Sequence, residues 1–211
     1  MALELGPVEA RVLGCLIEKD LTTPEYYPLS LNALTNACNQ KSNREPVVNW
    51  DDATVRAGLD ELREKGLCVF VHEAGSRVEK YRHRLQEKFN FTRGEQALVG
   101  VLLLRGAQTA AELRERTQRM YAFEDVETAE HALQKLADWE PEALAVLMPR
   151  QPGRKEPRWM HLLSGPPDLS APAVDEPVRV DRLGDLEAEI AGLRAEVEAL
   201  RAEFEKFRSQ F

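Results

Sequence analysis

The sequence predicts a mainly helical α+β protein, with small β-hairpins, built from two tandem winged-helix domains and a C-terminal coiled-coil helix. Three observations predict it. The order helix, helix, helix, β-hairpin occurs twice; chemically matched residues recur at fixed offsets between the copies; and residues 183–211 carry an unbroken heptad pattern.

In the first copy (1–90), Val8, Val12, Cys15 and Leu16 recur at helical spacing and predict an amphipathic first helix. Pro24 and Pro28 bar its continuation through the turn-rich stretch 20–28. Ser30 is an N-cap for a short helix through Cys38, with Leu31, Leu34 and Cys38 on one face. Residues 39–46, NQKSNREP, read as a loop. Asp51 or Asp52 caps a third helix in which Val55, Leu59 and Leu62 form the buried stripe, and Gly66 ends it. Residues 68–72 and 78–85 then read as two strands around a glycine-containing turn.

The second copy (91–165) repeats the order. A helix over 92–105 stops at Gly106. A second, over 109–119, opens on a capping box of Thr109 and Glu112. A third runs over about 125–139, and strands near 143–149 and 158–163 flank a turn. Glu9 and Gly14 match Glu95 and Gly100 at an offset of 86, while Thr54, Leu59 and Leu62 match Thr128, Leu133 and Leu136 at 74. Tyr81 and His83 match Trp159 and His161 at 78, which predicts a shared packing or hydrogen-bonding role for the two histidines. The offset falls by 12 between first and third helices, so the first copy carries an insertion, assigned to loops 20–28 and 39–46.

Proline-rich residues 166–182 read as a flexible linker. Beyond it, Leu183, Leu186, Ile190, Leu193, Val197, Leu200, Phe204 and Phe207 fall at alternating steps of three and four. β-branched residues at a with Leu at d favour a parallel dimer. The g positions Arg182, Glu189, Glu196 and Glu203 face e positions Glu187, Arg194, Arg201 and Arg208 with opposite charge at every pair, which also selects the parallel orientation. The chain is therefore expected to pair with itself.

Composition narrows the function. Of the formal net charge of −8, residues 166–211 carry −5 (6 basic against 11 acidic side chains), leaving the two copies near neutral. Neutrality neither demands nor forbids a nucleic-acid partner. The start lacks a secretory-signal pattern and no window reaches the ~20 apolar residues of a membrane span, so a cytoplasmic protein without membrane contact is expected. Cys15, Cys38 and Cys68 match neither a disulfide framework nor a zinc pattern. Nucleophile elbows, phosphate-binding loops and metalloprotease motifs are missing from the sequence, so neither catalysis nor a cofactor is expected.

The runs NACNQKSNREPV (36–47), LLLRGAQTAAELRERTQRMYAF (102–123) and RWMHLLSG (158–165) closely resemble the bacterial YceH family, over about residues 3–165. The resemblance implies a tandem winged-helix protein and carries over no catalytic residue.

Winged helices commonly bind DNA through the third helix, with wing and loop on phosphates. On that basis Gln40, Lys41, Ser42, Asn43 and Arg44 in the loop, Thr54 and Arg56 on the third helix, and Arg77, Lys80 and Arg82 at the wing are the candidate double-stranded DNA contacts. The leading expectation is a homodimeric transcriptional regulator using its first domain. Opposing it, the third helix of copy one also carries Asp52, Asp60, Glu61 and Glu64, and that of copy two carries Asp125, Glu127, Glu130 and Asp138 against Lys135. The alternative is a non-enzymatic adaptor whose acidic third helices dock a protein partner.

Overall fold

The computed structural model describes residues 3–71, 78–150 and 156–167. Arg77, nearly all of the 166–182 linker and the predicted dimerisation helix from Leu183 to Phe207 lie outside the described residues.

The first half contains α1 (Pro7–Thr22), a 3-10 turn, β1 (Leu29–Ser30), α2 (Leu31–Cys38), α3 (Asp52–Glu64), β2 (Cys68–Val71), β3 (Lys80–His83) and α4 (Leu85–Phe89). The second contains α5 (Arg93–Arg105), α6 (Ala110–Thr117), α7 (Val126–Ala137), β4 (Ala145–Met148) and β5 (Arg158–His161). β1, β3 and β2 form an antiparallel sheet in that order, and β4 pairs antiparallel with β5.

Local chemistry explains most of the boundaries. Asp51 and Asp125 cap α3 and α7 by accepting the N–H of Thr54 (2.9 Å) and Thr128 (2.7 Å). Glu9, Glu95 and Glu112 each reach back to the N–H at their helix start, from Gly6 (2.7 Å), Thr92 (2.8 Å) and Thr109 (2.8 Å). The Glu9–Glu95 match between copies therefore has a physical cause: both carboxylates accept the N-cap N–H at the head of equivalent helices, with Thr92 completing a capping box in the second. Gly66 and Gly106, at φ +71 and +69, end α3 and α5 in a backbone region other residues avoid.

Three details differ from the sequence reading. The last strand of the first half stops at His83, and Leu85–Phe89 turns into α4, which seats Phe89 and Phe91 against Trp139 (6.4 and 5.2 Å between centroids). Leu29 and Ser30 pair with Tyr81 and Lys80 as a short strand directly ahead of α2, just as Gln108 bridges Trp159 ahead of α6. The twelve extra residues of the first half are also spread more widely than two loops: α1 is three residues longer than α5, and the connections before α2 and α3 are longer by four and five than those before α6 and α7.

One hydrophobic cluster runs through both halves, from Leu13 and Leu62 to Leu102 and Leu136. Its centre is the crossing of α1 on α5. A Cβ at Gly14 would lie 2.8 Å from Leu104 Cγ and 3.1 Å from Leu103 Cβ, and one at Gly100 would lie 2.8 Å from Ile17 Cγ2. Leu103 and Ile17 are themselves related by the 86-residue offset, so equivalent helices meet through equivalent positions. At the edge, Leu5 N–H donates to the Leu163 carbonyl (2.7 Å), tying the start of the first half to the end of the second.

Candidate interaction surfaces of the two halves

The loop of the first half is a strap. Asn39 closes it with two 2.8 Å hydrogen bonds to the backbone of Trp50. Beneath it, Arg11 donates to the carbonyls of Cys38 (3.1 Å) and Pro46 (2.6 Å). Arg44 was expected on a DNA-facing surface and is instead interior, 3% exposed. Its guanidinium donates to Glu18 (2.5 and 3.1 Å), to the carbonyls of Ala37 and Asn43 (3.0 Å each) and to Gln40 Oε1 (2.9 Å). Arg105 on α5 donates to Asn43 Oδ1 (3.0 Å), and Glu45 N–H donates to the Leu104 carbonyl (2.9 Å). The strap's polar residues thus serve largely to lash α1 and α2 to the end of α5. Lys41 and Ser42 face solvent.

The other candidate contacts are similarly engaged. Thr54 donates its hydroxyl hydrogen to Asp51 (2.7 Å). Arg56 lies 3.4 Å from Tyr81 Oη and 3.8 Å from Glu79. Arg82 pairs with Glu87 at 2.6 Å, and Lys80 is half-buried in β3. Arg44, Arg56 and Arg82 therefore sit beside carboxylates of their own half, while Lys41 faces solvent.

His83 is buried at the junction of the halves, and Tyr81 is buried within the first. Leu85 N–H donates to His83 Nδ1 (3.3 Å), which leaves Nε2 to carry the hydrogen toward Asp20 Oδ2 (3.2 Å), and Gln96 Nε2 donates to the same carboxylate oxygen (3.4 Å). That hydrogen bond from His83 outweighs burial and holds the Asp20 carboxyl below its ordinary range. His161 occupies the equivalent register position, opposite Ala145 as His83 is opposite Cys68. The expected shared role holds as packing, since both rings are buried at matched register, but not as hydrogen bonding: His161 Nδ1 is buried without a hydrogen-bond partner, where His83 Nδ1 accepts from the Leu85 N–H.

Burial lowers the His161 pKa to about 4. With a folded value below the unfolded ~6.5, the neutral ring's contribution is complete above pH ~6.5 and is lost as pH falls toward 4. Acidification through that window should cost wild-type protein about 3 kcal/mol. Urea midpoints measured across it should fall less steeply in His161→Leu; parallel pH profiles would contradict this account.

The second half presents a groove of about 680 Å³ bounded by the start of α6, the outer face of α7 and the β4–β5 hairpin. Glu127, Glu130 and His131 rise from α7, Glu156 and Pro157 lead into β5, and Leu147 projects from β4, 46% exposed. Arg158, next to the groove residues Pro157 and Trp159, donates to the Ala107 carbonyl (2.8 Å) and Glu112 (3.3 Å), and Arg116 donates to Gln108 (2.6 Å), tying β5 and the connection before α6 to α6. In the sequence the outward α7 residues Glu127 and Glu130 read as obstacles to DNA; in the structure they line a groove. Comparing the copies position by position, with Glu130 falling where the first half has Arg56, was the signal available.

A family described as a protein of unknown function, DUF480, matches residues 5–154. The chain belongs to the DUF480 family. The DUF480 match takes in both halves as far as the turn between β4 and β5. Relatives carry the name UPF0502 protein: one from Opitutus terrae is 52% identical over 190 residues, covering 90% of this chain and 83% of its own. Another from Geobacter sulfurreducens is 50% identical over 202 residues (92% and 91%), and one from Aeromonas hydrophila is 48% identical over 203 (92% and 93%). Among the described residues of this DUF480 protein, no helix is long and apolar enough to cross a membrane, and no three His, Cys, Asp or Glu side chains are grouped to hold a metal ion.

Proposed function

We propose that this chain is a non-catalytic, cytoplasmic interaction protein: tandem winged-helix halves, paired through the C-terminal heptads, that dock a protein partner. The YceH resemblance and the doubled order of three helices and a hairpin support the winged-helix reading. Three free, buried cysteines suit a reducing compartment. The observation that carries the choice of partner is the fate of the basic residues. Arg44 is buried against Glu18, and Arg56 and Arg82 lie beside Glu79 and Glu87, while the exposed face of α3 sets Asp52, Glu61 and Glu64 against Arg56 and Arg63, and that of α7 presents Glu127 and Glu130. A phosphate-lined groove would repel such faces.

Titrating the full chain into labelled genomic duplexes at several salt concentrations tests this. Each phosphate contact contributes about −0.9 to the slope of log affinity against log salt. No binding at low salt, or a slope near zero, is expected. A slope steeper than about −3 would reinstate a DNA-binding regulator acting through the first half.

A further inference from the structure

We propose that the groove between α6, α7 and the β4–β5 hairpin binds a basic peptide segment of a partner protein, anchored by an aliphatic side chain on Leu147. This rests on the interaction-protein reading above and names its partner chemistry.

The first half shows what a filled version of this cleft looks like. Leu147 corresponds in register to Phe70, since Phe70 pairs with Tyr81 as Leu147 pairs with Trp159. Phe70 is covered: the Arg63 guanidinium lies 4.4 Å above its ring, and Tyr81 meets it edge-on at 5.3 Å. Arg56, on the same helix, reaches the Tyr81 hydroxyl. The 74-residue offset that superposes α3 on α7 puts Ala137 at the place of Arg63 and Glu130 at the place of Arg56. The second half thus lacks both of the arginines that lie over Phe70 and beside Tyr81 in the first. One is replaced by a carboxylate and the other by a methyl group, and Leu147 is left 46% exposed.

The chemistry that fits is the chemistry that was removed. An incoming Arg or Lys would pair with Glu130 and its neighbours Glu127 and Glu156, and an aliphatic residue beside it would cover Leu147. Among the described residues lining the groove there is no Lys or Arg to compete for those carboxylates. Acidic peptides would meet like charge.

Selecting a random dodecapeptide display library against the full-length wild-type chain tests the proposal, with affinities of recovered, fluorescein-labelled peptides measured by anisotropy. The expected peptides carry Arg or Lys flanking an aliphatic residue. They should bind Glu127→Lys/Glu130→Lys and Leu147→Ser about tenfold or more weakly. All three positions are exposed, so unchanged thermal midpoints will show that the variants fold. Recovery of no peptides, of peptides without basic bias, or of basic peptides indifferent to both variants would overturn the groove assignment. The last outcome would leave the interaction-protein reading standing, whereas the duplex titration decides that reading whatever the peptides do.

Discussion

Replacing Glu18 by alanine is expected to lower folding stability by about 3–5 kcal/mol, the range found when one partner of a buried ion pair is removed. The Arg44 side chain is fully buried and that of Glu18 is 15% exposed, so water cannot take over the lost carboxylate. The remaining partners of Arg44 are the carbonyls of Ala37 and Asn43 and the Gln40 amide oxygen, none of which neutralises a cation. Arg44→Met should be milder, because it removes the buried charge and leaves Glu18 near the rim with Lys19 3.8 Å away. Both substitutions should loosen the strap and expose residues 39–46 to proteolysis. Urea unfolding of the two variants measures the difference; a loss below about 1 kcal/mol for Glu18→Ala would mean the pair behaves as a solvated one.

Valine at Gly14 or at Gly100 is expected to cost about 3 kcal/mol each, at the upper end of overpacking penalties. Helix propensity works the other way, since replacing a mid-helix glycine gains up to ~1 kcal/mol. Sterics win because a new Cβ at either site falls 2.8 Å from a buried carbon, Leu104 Cγ in one case and Ile17 Cγ2 in the other. A double-mutant cycle separates the two effects. Ile17→Ala removes the opposing methyl, so Gly100→Ala should be markedly less harmful in that background than alone. Thermal midpoints that rise for Gly14→Val would show that propensity governs and that the crossing is looser than described.

What the sequence made legible was local or periodic. The caps at Asp51, Thr109 and Ser30, the stops at Gly66 and Gly106, and the stripes of α3 and α7 all rest on interactions spanning a few residues. The short helix at Leu85–Phe89 and the strand at Leu29–Ser30 escaped because each is defined by contacts outside itself, with Trp139 and with β3. The loop at 39–46 shows the limit most clearly. Its run of donors looks suited to phosphate, yet Arg44 finds Glu18 26 residues away and Asn43 finds Arg105 62 residues away. Nothing within the loop distinguishes a donor waiting for a ligand from one already satisfied. The groove was hidden for a related reason: alternation in a strand places Leu147 on one face or the other, but only packing reveals that its face is left uncovered.

The crossing of α1 on α5 joins like with like: the same two positions of a repeated unit press against each other across a local axis. That is the geometry a single ancestral half would use to form a twofold homodimer. Carrying both protomers on one polypeptide releases them from having to stay identical. The two halves differ at matched positions, Arg56 and Arg63 in one against Glu130 and Ala137 in the other, an asymmetry that two identical chains could not carry.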